Sequence, residues 1–186
     1  LWLVDPASPG TSPTRFGGAV DLGPWGMMTG VTYDPATQAA YVARGTWNEE
    51  VPAGVMKVTA NGTPELWMTL PPYSFPNGIT IAGTSVYVTD SGEGVVYRGS
   101  TTGPEGVSTW FSSDLLVPQP QAHAPGIGAN GIAVRAGDVY VSNWNRGLIL
   151  RIPVEAGGAA GSPTVVVEDL QLTEADGLAF DANGIL

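Results

Sequence analysis

The sequence predicts an all-β fold. Three observations carry that reading. The 186 residues include 26 Gly and 16 Pro, spread along the whole chain rather than pooled in one linker. Such a distribution suits many short strands joined by turns and suits long helices badly. Apolar residues fall in short runs rich in Val, Ile, Thr and Tyr, each bounded by Gly, Pro, Asn or Asp, with no sustained helical spacing. Finally, one motif recurs about every fifty residues along the chain.

The repeat is visible by eye. Residues 30–44 read GVTYDPATQAAYVAR, residues 78–90 GITIAGTSVYVTD, residues 131–143 GIAVRAGDVYVSN and residues 177–186 GLAFDANGIL. The leading glycines are 48, 53 and 46 residues apart. Each unit offers a first strand, a turn and a second strand. A third strand follows at 94–99 (GVVYRG) and 147–152 (GLILRI), and a more variable fourth at Leu66–Leu70, Ser108–Phe111 and Thr164–Val167. Four antiparallel strands per period of this length is the pattern of a β-propeller blade. The chain is then one domain, 1–186, divided into the rest of a first blade (1–24), a second (25–72), a third (73–125), a fourth (126–172) and the start of a fifth (173–186).

The first strands share a further regularity. Val31, Ile79, Ile132 and Leu178 occupy one position, and Tyr33, Ile81, Val134 and Phe180 lie two residues on, so on the same face. Between them Thr32, Thr80, Ala133 and Ala179 make the other face small. Bulky and small faces interdigitate when twisted sheets pack face to face. If the first strand runs inward from the top, two sets of residues share the top surface: those just before each repeat glycine and the loops joining second to third strands.

The residues before the repeat glycines are Thr29, Asn77, Asn130 and Asp176. Three of them carry a side-chain carbonyl or carboxylate oxygen of the kind that hard cations such as Ca²⁺ bind. The same residue types also serve as turn formers that bond their own backbone, and the pattern by itself leaves both roles open. Other top-face candidates are Asp90 and Asn143 after the second strands, and Arg44, Trp47, Trp144 and Arg146 in or near the second-to-third loops. Tyr73 and Phe75 precede Asn77, and His123, the single histidine, lies in the Pro-rich stretch 118–128. Trp and Arg there can line a substrate pocket. Asp90 reads equally as a turn acceptor in TDSGEG.

The segments PNGITIAGTSVYVTDSGEGVVYR from Pro76, ANGIAVRAGDVYVSNWNRGLILRI from Ala129 and ADGLAFDANGIL from Ala175 resemble the SMP-30/gluconolactonase/LRE-like six-bladed propellers, which include regucalcin and lactonases of the paraoxonase kind. The resemblance covers nearly the whole chain at the level of blade motifs. It implies six blades, a catalytic divalent cation (Ca²⁺ or another) held by Asn77, Asn130 and Asp176, and hydrolysis of a lactone or related ester. It also implies Asp176, with Asp90 behind it, as the candidate catalytic carboxylates. Arg44, Trp47, His123, Asn143, Trp144 and Arg146 would bound the substrate. The family's remaining ligand, a Glu before a strand resembling Leu1–Asp5, is not in this sequence. With Asp176 the sole carboxylate of the set, weak Ca²⁺ binding by these residues alone is expected. Six blades would also need roughly 80–110 more residues at this period, so the chain is expected to be most of a propeller.

Composition narrows the partners. Seven basic residues against 17 acidic give a net charge of −10, with Lys57 the single lysine. A phosphate-neutralising nucleic-acid binder needs the opposite balance. The absence of Cys removes disulfides, thiolate metal sites and thiol nucleophiles. No apolar run reaches the roughly 20 residues of a membrane span. The expected partner is a small-molecule substrate, with neither nucleic acid nor membrane, and the oligomeric state is left undetermined. Scarce Lys, no Cys and abundant Thr, Ser, Gly and Pro lean towards an exported protein. Two rival readings stand beside the hydrolase: a non-catalytic NHL-type propeller whose top face binds a peptide or sugar, and a propeller enzyme of the strictosidine-synthase kind.

Overall fold

A computed structural model describes residues 1–3, 7–104, 106–119 and 126–186. It contains three four-stranded antiparallel sheets and one two-stranded sheet. The two-stranded sheet pairs β1 (Trp2–Leu3) with β2 (Thr14–Arg15). The second blade is β3 (Met27–Asp34), β4 (Ala39–Gly45), β5 (Gly54–Thr59) and β6 (Glu65–Thr69). The third is β7 (Pro76–Ala82), β8 (Ser85–Asp90), β9 (Val95–Ser100) and β10 (Ser108–Ser112). The fourth is β11 (Ala129–Arg135), β12 (Asp138–Asn143), β13 (Leu148–Pro153) and β14 (Thr164–Glu168). In each blade spatial order equals chain order. The fold is a partial β-propeller of about four blades.

Period-two patterning builds the core between blades. On β4, Ala39, Tyr41 and Ala43 join Val55 and Met68 and pack against Ile79, Val86 and Val88 of the third blade. The alternate residues Ala40 and Val42 turn the other way, with Met56 and Val58, onto Phe16. One blade further on, Tyr87 and Val96 meet Ile132, Val139, Val141 and Leu150. The second strands are the most buried because each is flanked by strands on both edges and covered on both faces. Each fully buried Val or Leu contributes about 1.5–3 kcal/mol of hydrophobic stabilisation. Val31, equivalent to the buried Ile79, and Tyr33, equivalent to the half-buried Ile81, are 61% and 52% exposed beside the small two-stranded sheet.

The repeat glycines have a steric cause. A Cβ on Gly30 would lie 2.3 Å from the Asn77 carbonyl oxygen, one on Gly78 2.3 Å from that of Asn130, and one on Gly131 2.1 Å from that of Asp176. Successive innermost strands therefore approach backbone to backbone at the same register, around a common axis. The last unit keeps this contact through 176–178, but no paired strand is assigned to it. Its residues close a turn instead, the Asp181 N–H donating to the Ile185 carbonyl (2.9 Å), and Phe180 packs edge-on against Tyr140 at 4.8 Å.

The approach can be tested by crowding it. Gly78→Ala is expected to destabilise the chain by about 1–3 kcal/mol in urea unfolding, because backbone must shift to admit the methyl group. Gly103→Ala is the control, since nothing lies within 4 Å of its added Cβ, and its midpoint should stay near that of the parent.

Candidate functional site

Each innermost strand begins with a bulge. The register slips between Met28 and Val31, between Pro76 and Ile79 and between Ala129 and Ile132. The slips fall on the pairs Thr29–Gly30, Asn77–Gly78 and Asn130–Gly131. A bulge of this kind frees backbone groups from the ladder and re-aims the side chains it carries. Side-chain hydroxyls of the second strands take up the freed amides. The Gly78 N–H donates to Thr89 Oγ1 at 2.8 Å and the Gly131 N–H to Ser142 Oγ at 2.9 Å. Thr89 Oγ1 in turn donates to the Asn130 carbonyl at 2.5 Å.

These bonds hold Asn77 and Asn130 at equivalent positions on adjacent innermost strands, and Asp176 follows at the next contact, in a segment without a paired strand. Asn77 is half-buried and its Nδ2 donates to Ser91 Oγ at 3.1 Å. Ser91 Oγ donates onward to the Ala129 carbonyl at 2.7 Å, which ties Asn77 to the residue that leads into Asn130. Asn130 is 2% exposed, and its Oδ1 is buried with no hydrogen-bond partner among the described residues. An amide oxygen in that state carries a desolvation cost of about 1–3 kcal/mol unless something binds it. Asp176 is exposed. Thr29 differs from the other three, since its hydroxyl is already used in donating to the Pro76 carbonyl (2.7 Å). Among the described residues no three His, Cys, Asp or Glu side chains are grouped to hold a metal. Any cation here would depend on two amide oxygens and one carboxylate, a donor set that fits a hard cation.

The other candidates are more closely committed. Asp90 is fully buried, and its Oδ1 accepts from the N–H groups of Phe75, Gly92 and Glu93 at 3.3, 2.9 and 3.1 Å. This is the turn-acceptor role, and no part of Asp90 faces solvent. Asn143 does the same one blade on, accepting from Asn145 and Arg146, while its Nδ2 donates to the carbonyls of Leu115 (2.9 Å) and Val117 (3.1 Å). Asp90 has an oxygen, Oδ2, where Asn143 has that donor, and it is buried without a partner among the described residues. Arg44 is 4% exposed and donates to the carbonyls of Asp21 (2.9 Å) and Pro52 (2.7 Å). Burial lowers its pKa from the usual value, partly opposed by Asp21. It braces two connections and presents no surface to a ligand. Arg146 pairs with Glu168 at 2.7 Å on the exposed edge of the blade. Trp144 is half-buried, and its carbonyl accepts from the Glu174 N–H at 2.8 Å. Trp47 is 46% exposed and tilts against Phe75 at 5.9 Å. His123 lies outside the described residues.

Sequence reasoning missed Thr89, Ser91 and Ser142. Their signal was the hydroxyl residue at the same place in VYVTD and VYVSN and the Ser that follows the first of these. It also missed the left-handed backbone of Trp25 (φ 65°) and Tyr73 (φ 64°), each four residues before a ring position. Bulky residues occupy that region at a cost of roughly 1–2 kcal/mol.

No protein-family model matches the chain, and no curated protein matches it in sequence. Solved structures do match. A structure of a nidogen/laminin complex shares 18% identity at a TM-score of 0.62, over 84% of this chain and 53% of that one. A glucose dehydrogenase-like oxidoreductase from Thermus thermophilus shares 16% at 0.61, over 89% and 60%. Virginiamycin B lyase from Staphylococcus aureus shares 18% at 0.57, over 83% and 45%. These proteins are β-propellers, and the likeness shows the fold. The chain spans between about two-fifths and three-fifths of their length. No helix among the described residues is long and apolar enough to cross a membrane.

The turn-cap assignment predicts opposite outcomes for two substitutions. Asp90→Asn should melt at or above the parent temperature, because its amide can donate to nearby carbonyls as Asn143 does. Asp90→Ala should lose about 1–3 kcal/mol by leaving backbone donors unpaired. Differential scanning fluorimetry distinguishes the two.

Proposed function

We propose that the chain is part of a propeller enzyme whose ring residues Asn77, Asn130 and Asp176 hold a divalent cation such as Ca²⁺, and that the whole protein hydrolyses a lactone or related ester. The observation that carries the reading is the buried, unpartnered Oδ1 of Asn130 at the middle position of the ring. Asn77, anchored through Nδ2 by Ser91, leaves its Oδ1 as the amide atom free for a ligand. Asp176 contributes the one negative charge and the one exposed carboxylate of the set. A cation bound there supplies Lewis-acid polarisation of a carbonyl and acidification of water. The protein's own part is positional. The bulges and hydroxyl bonds fix the backbone that carries the amide oxygens before any ligand arrives, so less ordering remains to oppose binding. Asp176, open to solvent, would accept a proton from attacking water. Neighbours that include a lyase and a dehydrogenase-like oxidoreductase are compatible with a propeller enzyme.

A second reading, a non-catalytic propeller with a structural ring, is favoured by the internal commitments of Asp90, Asn143 and Arg44. Calcium-dependent melting separates the two. On the 186-residue chain, millimolar Ca²⁺ should raise the melting temperature, with a weak dissociation constant because one carboxylate faces a doubly charged ion. Asn130→Ala should remove that shift while melting no lower than the parent in EDTA, since it deletes an unpaired buried oxygen. In the full-length protein Asp176→Ala should abolish lactone hydrolysis without unfolding it. A Ca²⁺ shift that survives both substitutions, or lactonase activity that survives Asp176→Ala, favours the structural ring.

A further inference from the structure

We propose that a cavity beside the ring, between the β4–β5 and β6–β7 connections of the second blade, binds a small organic cation with an apolar body, an aralkylammonium ion. The cavity encloses about 340 Å³ and is lined chiefly by Glu49, Pro52, Ala53, Leu70, Pro72 and Tyr73. That volume is at the lower end of the range for small-molecule sites, about 300–1,000 Å³. It opens on the same top face as Asn77 but belongs to the connections of one blade, not to the innermost strands. The proposal is therefore independent of the cation reading above.

The walls are pre-formed. Thr46 Oγ1 donates to the Val51 carbonyl, Asn48 Oδ1 accepts from the Glu50 N–H at 2.9 Å, and Asn48 and Val51 form an isolated antiparallel bridge. The floor is apolar: Ala53 and Leu70 are each 2% exposed, and the two prolines have no N–H to offer. Thr46, Asn48 and Thr69 also line the cavity, but the Thr46 hydroxyl and Asn48 Oδ1 are already engaged with the connection.

The rim is acidic. Tyr73 donates its hydroxyl to Glu49 Oε1 at 2.8 Å, which orients the carboxylate, and that bond and charge hold the tyrosine pKa above its usual value. Neither of the two ion pairs among the described residues involves Glu49, and Glu50 adjoins it in a chain of net charge −10. An anion is repelled, whereas a cation gains the carboxylate and the face of the Tyr73 ring. Tyr73 is 61% exposed and is held in the left-handed region, as is Trp25 at the equivalent place one blade earlier, so this backbone is a recurring feature of the entry to an innermost strand, and at the cavity it turns the ring outward beside Glu49.

The test is titration of the 186-residue chain with benzylammonium chloride, with EDTA present, followed by amide chemical shifts. Benzyl alcohol is the neutral comparison. Saturable shifts are expected at residues 46–50 and 69–73, with about tenfold preference for the ammonium from one charge-assisted hydrogen bond, weakening in high salt. Glu49→Gln should erase the preference at an unchanged melting temperature. Tyr73→Gly should melt no lower than the parent, its strain relieved, yet bind more weakly. Equal binding of benzyl alcohol, shifts confined to other residues, no saturable shift, or undiminished binding by Tyr73→Gly would each overturn the proposal.

Discussion

The close approach of neighbouring innermost strands at Gly30, Gly78 and Gly131 governs this structure. At each of these positions a side chain would collide with the carbonyl of the next unit's ring residue, at 2.1–2.3 Å. No rotamer change can relieve such a collision, because the opposing atom is backbone. The glycines therefore set how near the blades can come to the axis. The layers of Tyr41, Val86 and Met68, and of Tyr87, Val139 and Leu150, can close only at that spacing. Core packing and the geometry of the axis are thus one constraint, expressed first in the smallest residue of the repeat.

The same approach explains why polar residues gather there. Strands that meet backbone to backbone at a bulge have amides and carbonyls outside the ladder, and buried groups of this kind must find partners. Hydroxyls from one unit reach the residue before the ring position of the next in every case: Thr29 to Pro76, Ser91 to Ala129 and Ser142 to Ala175. From Asn77 onward the ring side chains need not satisfy the backbone themselves. Hydroxyls perform the structural task, which leaves the amide oxygens of Asn77 and Asn130 available.

The repeat made the blades legible in the sequence, because period-two alternation and the recurring glycine are imposed by contacts every blade shares. The residues of the top face were legible only as positions. Asp90 and Asn143 do follow the second strands, but VYVTD and VYVSN read alike whether the last side chain turns into the connection or out to a ligand. The N–H groups of Phe75, Gly92 and Glu93 decide the matter for Asp90, and the carbonyls of Leu115 and Val117 for Asn143. Both sets include partners remote in sequence, from connections that do not repeat. Arg44 is lost to the site for the same reason, held by carbonyls of Asp21 and Pro52. Tyr73 was legible as a top-face candidate, but the extent of the cavity it lines was not, since a left-handed tyrosine is not written in any local motif.

The ring is not four-fold in its chemistry, and that asymmetry locates the candidate site. In the second blade Ala43 stands where Thr89 and Ser142 stand in the next two, so the hydroxyl that bonds across to the following unit comes from the ring residue itself. Thr29 is consumed by that bond and has no second oxygen to offer. From Asn77 onward the second-strand side supplies the hydroxyl, and the ring residue is released. Released oxygens therefore begin at Asn77, become fully buried at Asn130 and gain formal charge at Asp176. On the proposed reading a positive ligand would be best stabilised toward the charged end, by Asn130 and Asp176, with Asn77 completing the arc. An anionic ligand would face only oxygens. The order Thr, Asn, Asn, Asp along the chain thus follows the step at which the backbone stops needing the ring side chain.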